Sequence, residues 1–220
     1  MFLHRVLMFG ALTLCFTVSA SAGSFTVTID TSSILGTNGS LDFNFNPGLL
    51  VTQSASLQIL GFSSNGTLAA GPVLIGDVSG TLPSTLTFDN GTAFNDYFGG
   101  FTFGSTLSFN VSLFGPALSS PDGISTSGST FAFSMFSDAA GTKPVLTTDK
   151  TDGFAYVVNV NLDGTTTATS FVPGASAVPE PSSGVFVGTI ISLFTLHFRR
   201  RARSKAVGTV QGPFRPAPPR

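Results

Sequence analysis

The sequence predicts an all-β protein: an antiparallel β-sandwich of jelly-roll type set between two apolar ends. Three observations predict it. Through residues 23–177, apolar and polar residues alternate with period two, which in a strand sends the two sets to opposite faces. Between those runs stand Asn38-Gly39, Asn65-Gly66, Asn90-Gly91, Asp122-Gly123, Asp152-Gly153 and Asp163-Gly164, pairs that suit turn positions with φ > 0. No apolar repeat of helical spacing longer than a turn or two interrupts them.

The elements follow in chain order. His4 and Arg5 form a short basic region, 6–18 is apolar, and Ala20-Ser21-Ala22 has the small-residue spacing of a cleavage site. Residues 1–22 therefore read as a secretory signal helix, cleaved to leave Gly23 as the new first residue. The single cysteine, Cys15, lies in that apolar run. The mature domain then has no thiol, so its stability rests on its core rather than on disulfides.

Next come the strands. Phe25, Val27 and Ile29 alternate with polar residues, as do Leu41, Phe43 and Phe45, then Leu57 and Ile59, then Leu86 and Phe88. The pattern continues through Leu107, Phe109, Val111 and Leu113, through Phe131, Phe133 and Met135, and through Phe154, Tyr156, Val158, Val160 and Leu162. Half-buried strands of this kind pair antiparallel, and nine or ten of them with regular turns build two layers. The expected core is rich in phenylalanine, whose ring buries a large apolar area and needs no polar partner. Residues 157–172, turning at Asp163-Gly164, read as a final hairpin.

Charge and absences limit the chemistry of 23–177. Ten aspartates face only Lys143 and Lys150, a net charge of −8 hidden in the whole-chain value of −1. An acidic domain without arginine repels nucleic acid. The same stretch holds no His, Cys, Arg, Glu or Trp. That removes Ser–His–Asp and Cys–His nucleophiles and zinc sites built on His or Cys. Asp30-Thr31-Ser32 resembles half of an aspartic-protease motif, but the mechanism needs a second such half, and none follows. No catalytic residue is assigned and no cofactor is expected.

Two weaker patterns remain. Asn159-x-Asn161-x-Asp163-Gly164 opens like an EF-hand loop, yet its twelfth position is Ser170 and its flanks are strands, so a hairpin turn explains it. Asp149, Asp152 and Asp163 are weak candidates for calcium in acidic loops, and Tyr97 is the one candidate for stacking on a sugar ring.

Last comes the tail. Val178-Pro179-Glu180-Pro181-Ser182 is stiffened by its prolines. Residues 184–198 carry no charge and are followed by Arg199, Arg200, Arg201 and Arg203. As a helix the apolar run covers about 22 Å against roughly 30 Å of hydrocarbon, a shortfall that snorkelling arginines reduce. The sequence thus predicts a single transmembrane helix whose basic end stays in the cytoplasm and whose preceding domain lies outside. Residues 204–220 are proline-rich and read as a disordered cytoplasmic tail.

Motif, apolar run and arginine cluster, in that order, resemble the PEP-CTERM sorting signal of proteins exported by Gram-negative bacteria that make exopolysaccharide. The resemblance covers about 25 residues and rests on the order of three parts, since P-E-P alone is a weak signal. It implies that an exosortase of the inner membrane reads Val178–Ser182, with Pro179, Glu180 and Pro181 as its recognition residues, and removes the tail. It also implies an arginine stop and delivery to the cell surface or an exopolysaccharide matrix. The expected organisation is a signal peptide (1–22), an exported sandwich (23–177), a sorting and anchor segment (178–203) and the tail. The expected role is non-catalytic, structural or adhesive. Two alternatives stand beside it: a carbohydrate- or Ca²⁺-binding adhesion module, and an aspartate-dependent hydrolase.

Overall fold

The computed structural model describes residues 23–173 and the backbone of 176–179. Thirteen strands lie among them: β1 (Gly23–Asp30), β2 (Asn38–Pro47), β3 (Ser56–Ser64), β4 (Thr67–Leu68), β5 (Val73–Ile75), β6 (Val78–Gly80) and β7 (Leu86–Asp89), followed by β8 (Asp96–Thr102), β9 (Thr106–Phe114), β10 (Ser129–Phe136), β11 (Phe154–Val160), β12 (Thr166–Ser170) and β13 (Ser176–Pro179). A 3₁₀ turn at Ser32–Ile34 and a one-turn helix, α1 (Pro116–Ser119), are the helical pieces of this part of the chain. The all-β class read from alternation and turn pairs is the class observed. The expected signal helix (with Ala20 and Ala22) and the transmembrane helix with Arg199, Arg200, Arg201 and Arg203 lie outside the described residues.

The strands form two antiparallel sheets. One runs β13-β1-β9-β3-β7-β6, the other β12-β11-β10-β2-β8-β4, with β5 also paired to β8. A single core fills the space between them, and its residues are those that period two turns inward: Phe25, Val27 and Ile29 from β1, Leu41, Phe43 and Phe45 from β2, Leu107, Phe109, Val111 and Leu113 from β9. The two layers meet ring to ring. Phe109 of the first sheet lies 5.2 Å from Phe43 and 5.0 Å from Phe133 of the second, both edge to face. That geometry places positive ring edges on negative ring faces.

Glycine does two jobs here. Gly123, Gly153 and Gly164 have φ of 69°, 76° and 81°, as their Asp-Gly turns require. Asn38-Gly39 is different: both residues lie inside β2, and Gly39 is opposite Phe101 of β8. A Cβ on Gly39 would sit 1.9 Å from the Phe136 carbonyl oxygen. The residue is glycine because backbone passes there, not because the chain turns. Gly39→Ala is therefore expected to destabilise the fold by about 1–3 kcal/mol, the usual range for forcing extra volume into a packed site. Urea unfolding measures the loss, and a loss no larger than that of an exposed-site alanine change contradicts the close approach.

Two expected core positions, Phe154 and Leu162, and the expected sugar-stacking position, Tyr97, differ. β10 and β11 shift register between Phe133 and Ser134, leaving Ala155 as the inserted residue. Ala155 is fully buried, while Phe154 pairs with Ser134 on the outer side and is only half-buried. A β-bulge reverses which face a residue takes, so the alternation that begins at Phe154 changes sides at once. Leu162 lies past the end of β11, in the turn to β12, and is exposed. Tyr97 is buried at 2% exposure and meets the Phe43 ring at 6.1 Å. Its ring is part of the core and offers no stacking surface for a sugar.

β12 follows β11 as an antiparallel hairpin, as expected for the last turn. The chain then crosses to the first sheet, where β13 pairs with β1 from Ser176 opposite Thr28 to Pro179 opposite Phe25. The edge strand thus takes in Val178 and Pro179, the first two residues of the expected sorting motif. Proline is tolerated at such an edge because the missing N–H costs no ladder bond to a further strand.

Candidate functional site

The two carboxyls raised above their ordinary value, Asp42 and Asp96, meet on the outer face of the second sheet. Leu41, Phe43 and Phe45 point inward, so Asp42, Asn44 and Asn46 point outward. Across β2, Asn44 is opposite Asp96 and Asp42 is opposite Phe98 of β8. On the far side of β8, Ile75 of β5 is opposite Asp96. Asp96 therefore sits between an asparagine and an isoleucine, and its residue surface is 7% exposed.

The Asp42 and Asp96 carboxyls are within hydrogen-bond reach of each other. Burial pushes Asp96 up to about 8, and its hydrogen bond to Asp42 and the Asp42 charge add to the rise. Burial also raises Asp42, while hydrogen bonds from Asp96 and Asn44 work the other way. Two carboxylates this close cannot both ionise cheaply, so one proton is shared. Asp96 keeps it at neutral pH and donates to Asp42. An asparagine ladder supports the acceptor: Asn46 Nδ2 donates to Asn44 Oδ1 at 3.4 Å, and Asn44 Nδ2 to Asp42 Oδ1 at 3.3 Å. Asn95, fully buried, anchors the strand entry, with its Nδ2 on the Phe45 carbonyl at 2.9 Å and its Oδ1 accepting from Asp77 N at 2.8 Å. Asp96 Oδ1 is buried and has no hydrogen-bond partner.

Chemically this arrangement holds a proton. Its carboxyls touch rather than standing roughly 5–10 Å apart across a cleft, as glycoside hydrolysis requires. One larger surface cleft, about 280 Å³, lies elsewhere and is lined by Phe62, Ser63, Ser64, Gly66, Leu68, Pro83 and Phe101, none of them ionisable. Sequence reasoning missed the pair. Asp42 and Asp96 lie on different strands, and only the register of β2 against β8 joins them.

The weak metal candidates are not brought together. Asp149 and Asp152 precede β11 and Asp163 follows it, which at about 3.3 Å per residue separates them by the length of the strand, about 23 Å. Among the described residues no group of three or more His, Cys, Asp or Glu could hold a metal ion. Asp149 accepts backbone N–H bonds from Thr151, Asp152 and Phe154 at 3.0, 3.3 and 3.1 Å. Those bonds, led by that from Thr151, hold its carboxyl below the usual value. Asp163 accepts from Thr165 N at 2.9 Å and Thr165 Oγ1 at 2.6 Å, which lowers it likewise. Asp30 accepts from Ser32 N at 2.9 Å, so the protease-like half-motif is a strand-end turn. In the EF-hand-like stretch, Asn159 Oδ1 is engaged by Thr130 and Asn161 Nδ2 by Thr165 and Thr167.

These carboxylates staple loops. Asp149→Ala is expected to speed amide exchange at Thr151, Asp152 and Phe154 while leaving β1 and β9 unchanged. Unchanged exchange at those three amides would show that the staple carries no local order.

No family model, curated protein or solved structure matches the chain.

Proposed function

We propose that the chain is an exported protein, anchored by its carboxy-terminal segment and then processed at that segment. It acts at the cell surface or in an exopolysaccharide matrix as a structural or interaction domain rather than as a catalyst. The observation that carries the reading is the order of the tail: Val178-Pro179-Glu180-Pro181-Ser182, an uncharged run at 184–198, then Arg199, Arg200, Arg201 and Arg203. A proline-stiffened linker, a near-membrane-length apolar segment and a cationic stop give the domain an outside orientation. The basic, apolar and small-residue pattern of 1–22 supplies matching export, with cleavage before Gly23.

Two features of the domain support the non-catalytic part. Its acidic side chains are ten aspartates, beside two lysines and two tyrosines. Five of those, Asp30, Asp122, Asp138, Asp149 and Asp163, have oxygens hydrogen-bonded to their own loops. The implied partners are the inner membrane and an exosortase, with exopolysaccharide as the matrix partner.

The test replaces Pro179-Glu180-Pro181 by three alanines in the native host. The variant is expected to remain in the inner-membrane fraction at full length while the parent moves to the outside. Equal release of both forms contradicts recognition of that motif.

A further inference from the structure

We propose that the end of the domain from which both chain termini leave faces the lipid surface and dips a rim of apolar loops into it. The proposal rests on the anchoring reading above and adds an orientation and a second contact.

Strand register defines that end. Gly23 is opposite Leu113 of β9, and Pro179 is opposite Phe25, so both ends of the chain leave side by side. Phe114, the last residue of β9, is opposite Ser56, the first of β3, which brings the 48–55 loop there. In the second sheet Ser129 pairs with Pro47 and with Val160, which brings the 120–128 loop and the 161–165 turn to one end of that sheet. The two sheets' ends coincide: Asn90 Nδ2 donates to Gln53 O at 2.9 Å and to Ser129 Oγ at 2.8 Å, and Ala117 N donates to Ser54 O at 3.0 Å.

This end carries Leu49, Leu50, Val51, Ile124 and Leu162, each more than half exposed. Their loops are tied to one another. Thr126 N and Ser127 N donate to Val51 O at 2.9 and 3.0 Å, and Leu50 N donates to Ser127 Oγ at 3.2 Å. Thr52, Ser125 and Leu162 line one small cleft. Contiguous exposed apolar residues mark a contact surface.

The length of chain beyond β13 says what the contact is. After Pro179 come only Glu180, Pro181, Ser182 and Ser183 before the uncharged run begins at Gly184. Five residues from Pro179 to Gly184 reach at most about 17 Å when extended. The headgroup layer of one leaflet takes up roughly 5–7 Å of that. The end bearing Pro179 is therefore held against the membrane, and side chains projecting from it meet the interface.

The contact is apolar rather than electrostatic. The two lysines of residues 23–177, Lys143 and Lys150, lie in the 137–153 segment between Phe136 and Phe154, at the opposite end. Asp122, Asp163 and Asp89 stand at this end with their carboxylates engaged. Asp122 accepts from Ile124 N and Ser125 N, Asp163 from Thr165 N, and Asp89 from Ser56 Oγ. Added salt should leave the contact unchanged.

The chain has no tryptophan, so single-tryptophan variants report position. Full-length Leu50→Trp, Ile124→Trp, Leu35→Trp and Leu193→Trp are reconstituted in vesicles of phosphatidylcholine with brominated acyl chains. Leu35, exposed beside the Ser32–Ile34 turn, marks the far end, and Leu193 lies in the apolar run. Emission at positions 50, 124 and 193 is expected to fall about twofold, as for rings at or below the headgroup boundary, with position 35 unaffected. Quenching at 193 without quenching at 50 and 124 overturns the rim and leaves the anchor intact. Protection of 50 and 124 from the lipid in a dimer assigns the rim to a second copy and also overturns it. Quenching at 35 equal to that at 50 overturns the orientation. No quenching at any position, 193 included, overturns the anchor and the rim together.

Discussion

Phe109→Ala is expected to destabilise the protein by about 3–5 kcal/mol, the range for removing a fully buried aromatic ring. Phe109 is 1% exposed and stands on β9, the third strand of its sheet, against Phe43 and Phe133 of the other. Its ring helps set the spacing of the two layers, so the cavity left behind opens at their junction. With domain stabilities of roughly 5–15 kcal/mol in general, a loss of this size is a large share of the whole. No disulfide can compensate, because Cys15 is the only cysteine. The control is on the same strand: Phe114, which is partly exposed and leaves the alternation at its outer end. Phe114→Ala should stay within about 0.5–1 kcal/mol of the parent. Urea unfolding of parent and variants reads both values. Equal losses at 109 and 114 would contradict the inward and outward assignment of β9.

The second large effect is a pH dependence that runs against the habit of acidic proteins. Asp96 is raised to about 8 in the folded state by burial and by Asp42, against an ordinary 3.8. Between those values the folded chain holds a proton that the unfolded chain has released. Stability therefore falls as pH rises through that window, by up to about 1.4 kcal/mol per pH unit, and levels off above the folded value. Asp42 is raised too and acts with the same sign. Asp30, Asp122, Asp138, Asp149 and Asp163 are lowered, mainly by hydrogen bonds from their own loops. Their contribution is present above the ordinary carboxylate value and is lost as pH drops below it. Stability should thus peak on the acid side, near pH 4–5, where both sets contribute. Asp96→Asn keeps the shape and removes the proton. Its unfolding free energy should fall less steeply across that window, with only the Asp42 contribution left, and the variant should overtake the parent as pH approaches 8. A parent profile that rises from pH 5 to 8, or a variant profile parallel to the parent's, contradicts the shared proton.

Much of the fold was legible because one physical rule governs it. A strand with one wet face must alternate, and β1, β9, the Leu41–Phe45 part of β2 and the Leu57–Ile59 part of β3 do so, so their inward residues could be named from spacing alone. Legibility ended where a local event broke the count. The inserted Ala155 moved Phe154 to the other face, and period two carries no mark of a bulge. Asn38-Gly39 has the composition of a turn but the surroundings of a strand, and only the nearby Phe136 carbonyl shows why glycine is there. The short strands β4, β5 and β6 are two or three residues long, too brief to show a period. The Asp42–Asp96 pair was illegible for a different reason. Ten aspartates offer many pairings, and contact depends on a register that neither strand encodes alone. Asp149 and Asp163 were read as possible cation ligands from composition, whereas their own turns already engage both oxygens of Asp149 and Oδ1 of Asp163.

The functional reading depends on the two ends of the chain more than on the domain between them. Mass spectrometry of both termini of the native protein, taken separately from cytosolic, inner-membrane and extracellular fractions, addresses it most directly. The expected result is an extracellular form that begins at Gly23 and ends before the arginine cluster, with a longer membrane-bound form as its precursor. A cytosolic product that retains both Met1 and Arg220 would contradict export, anchoring and processing at once.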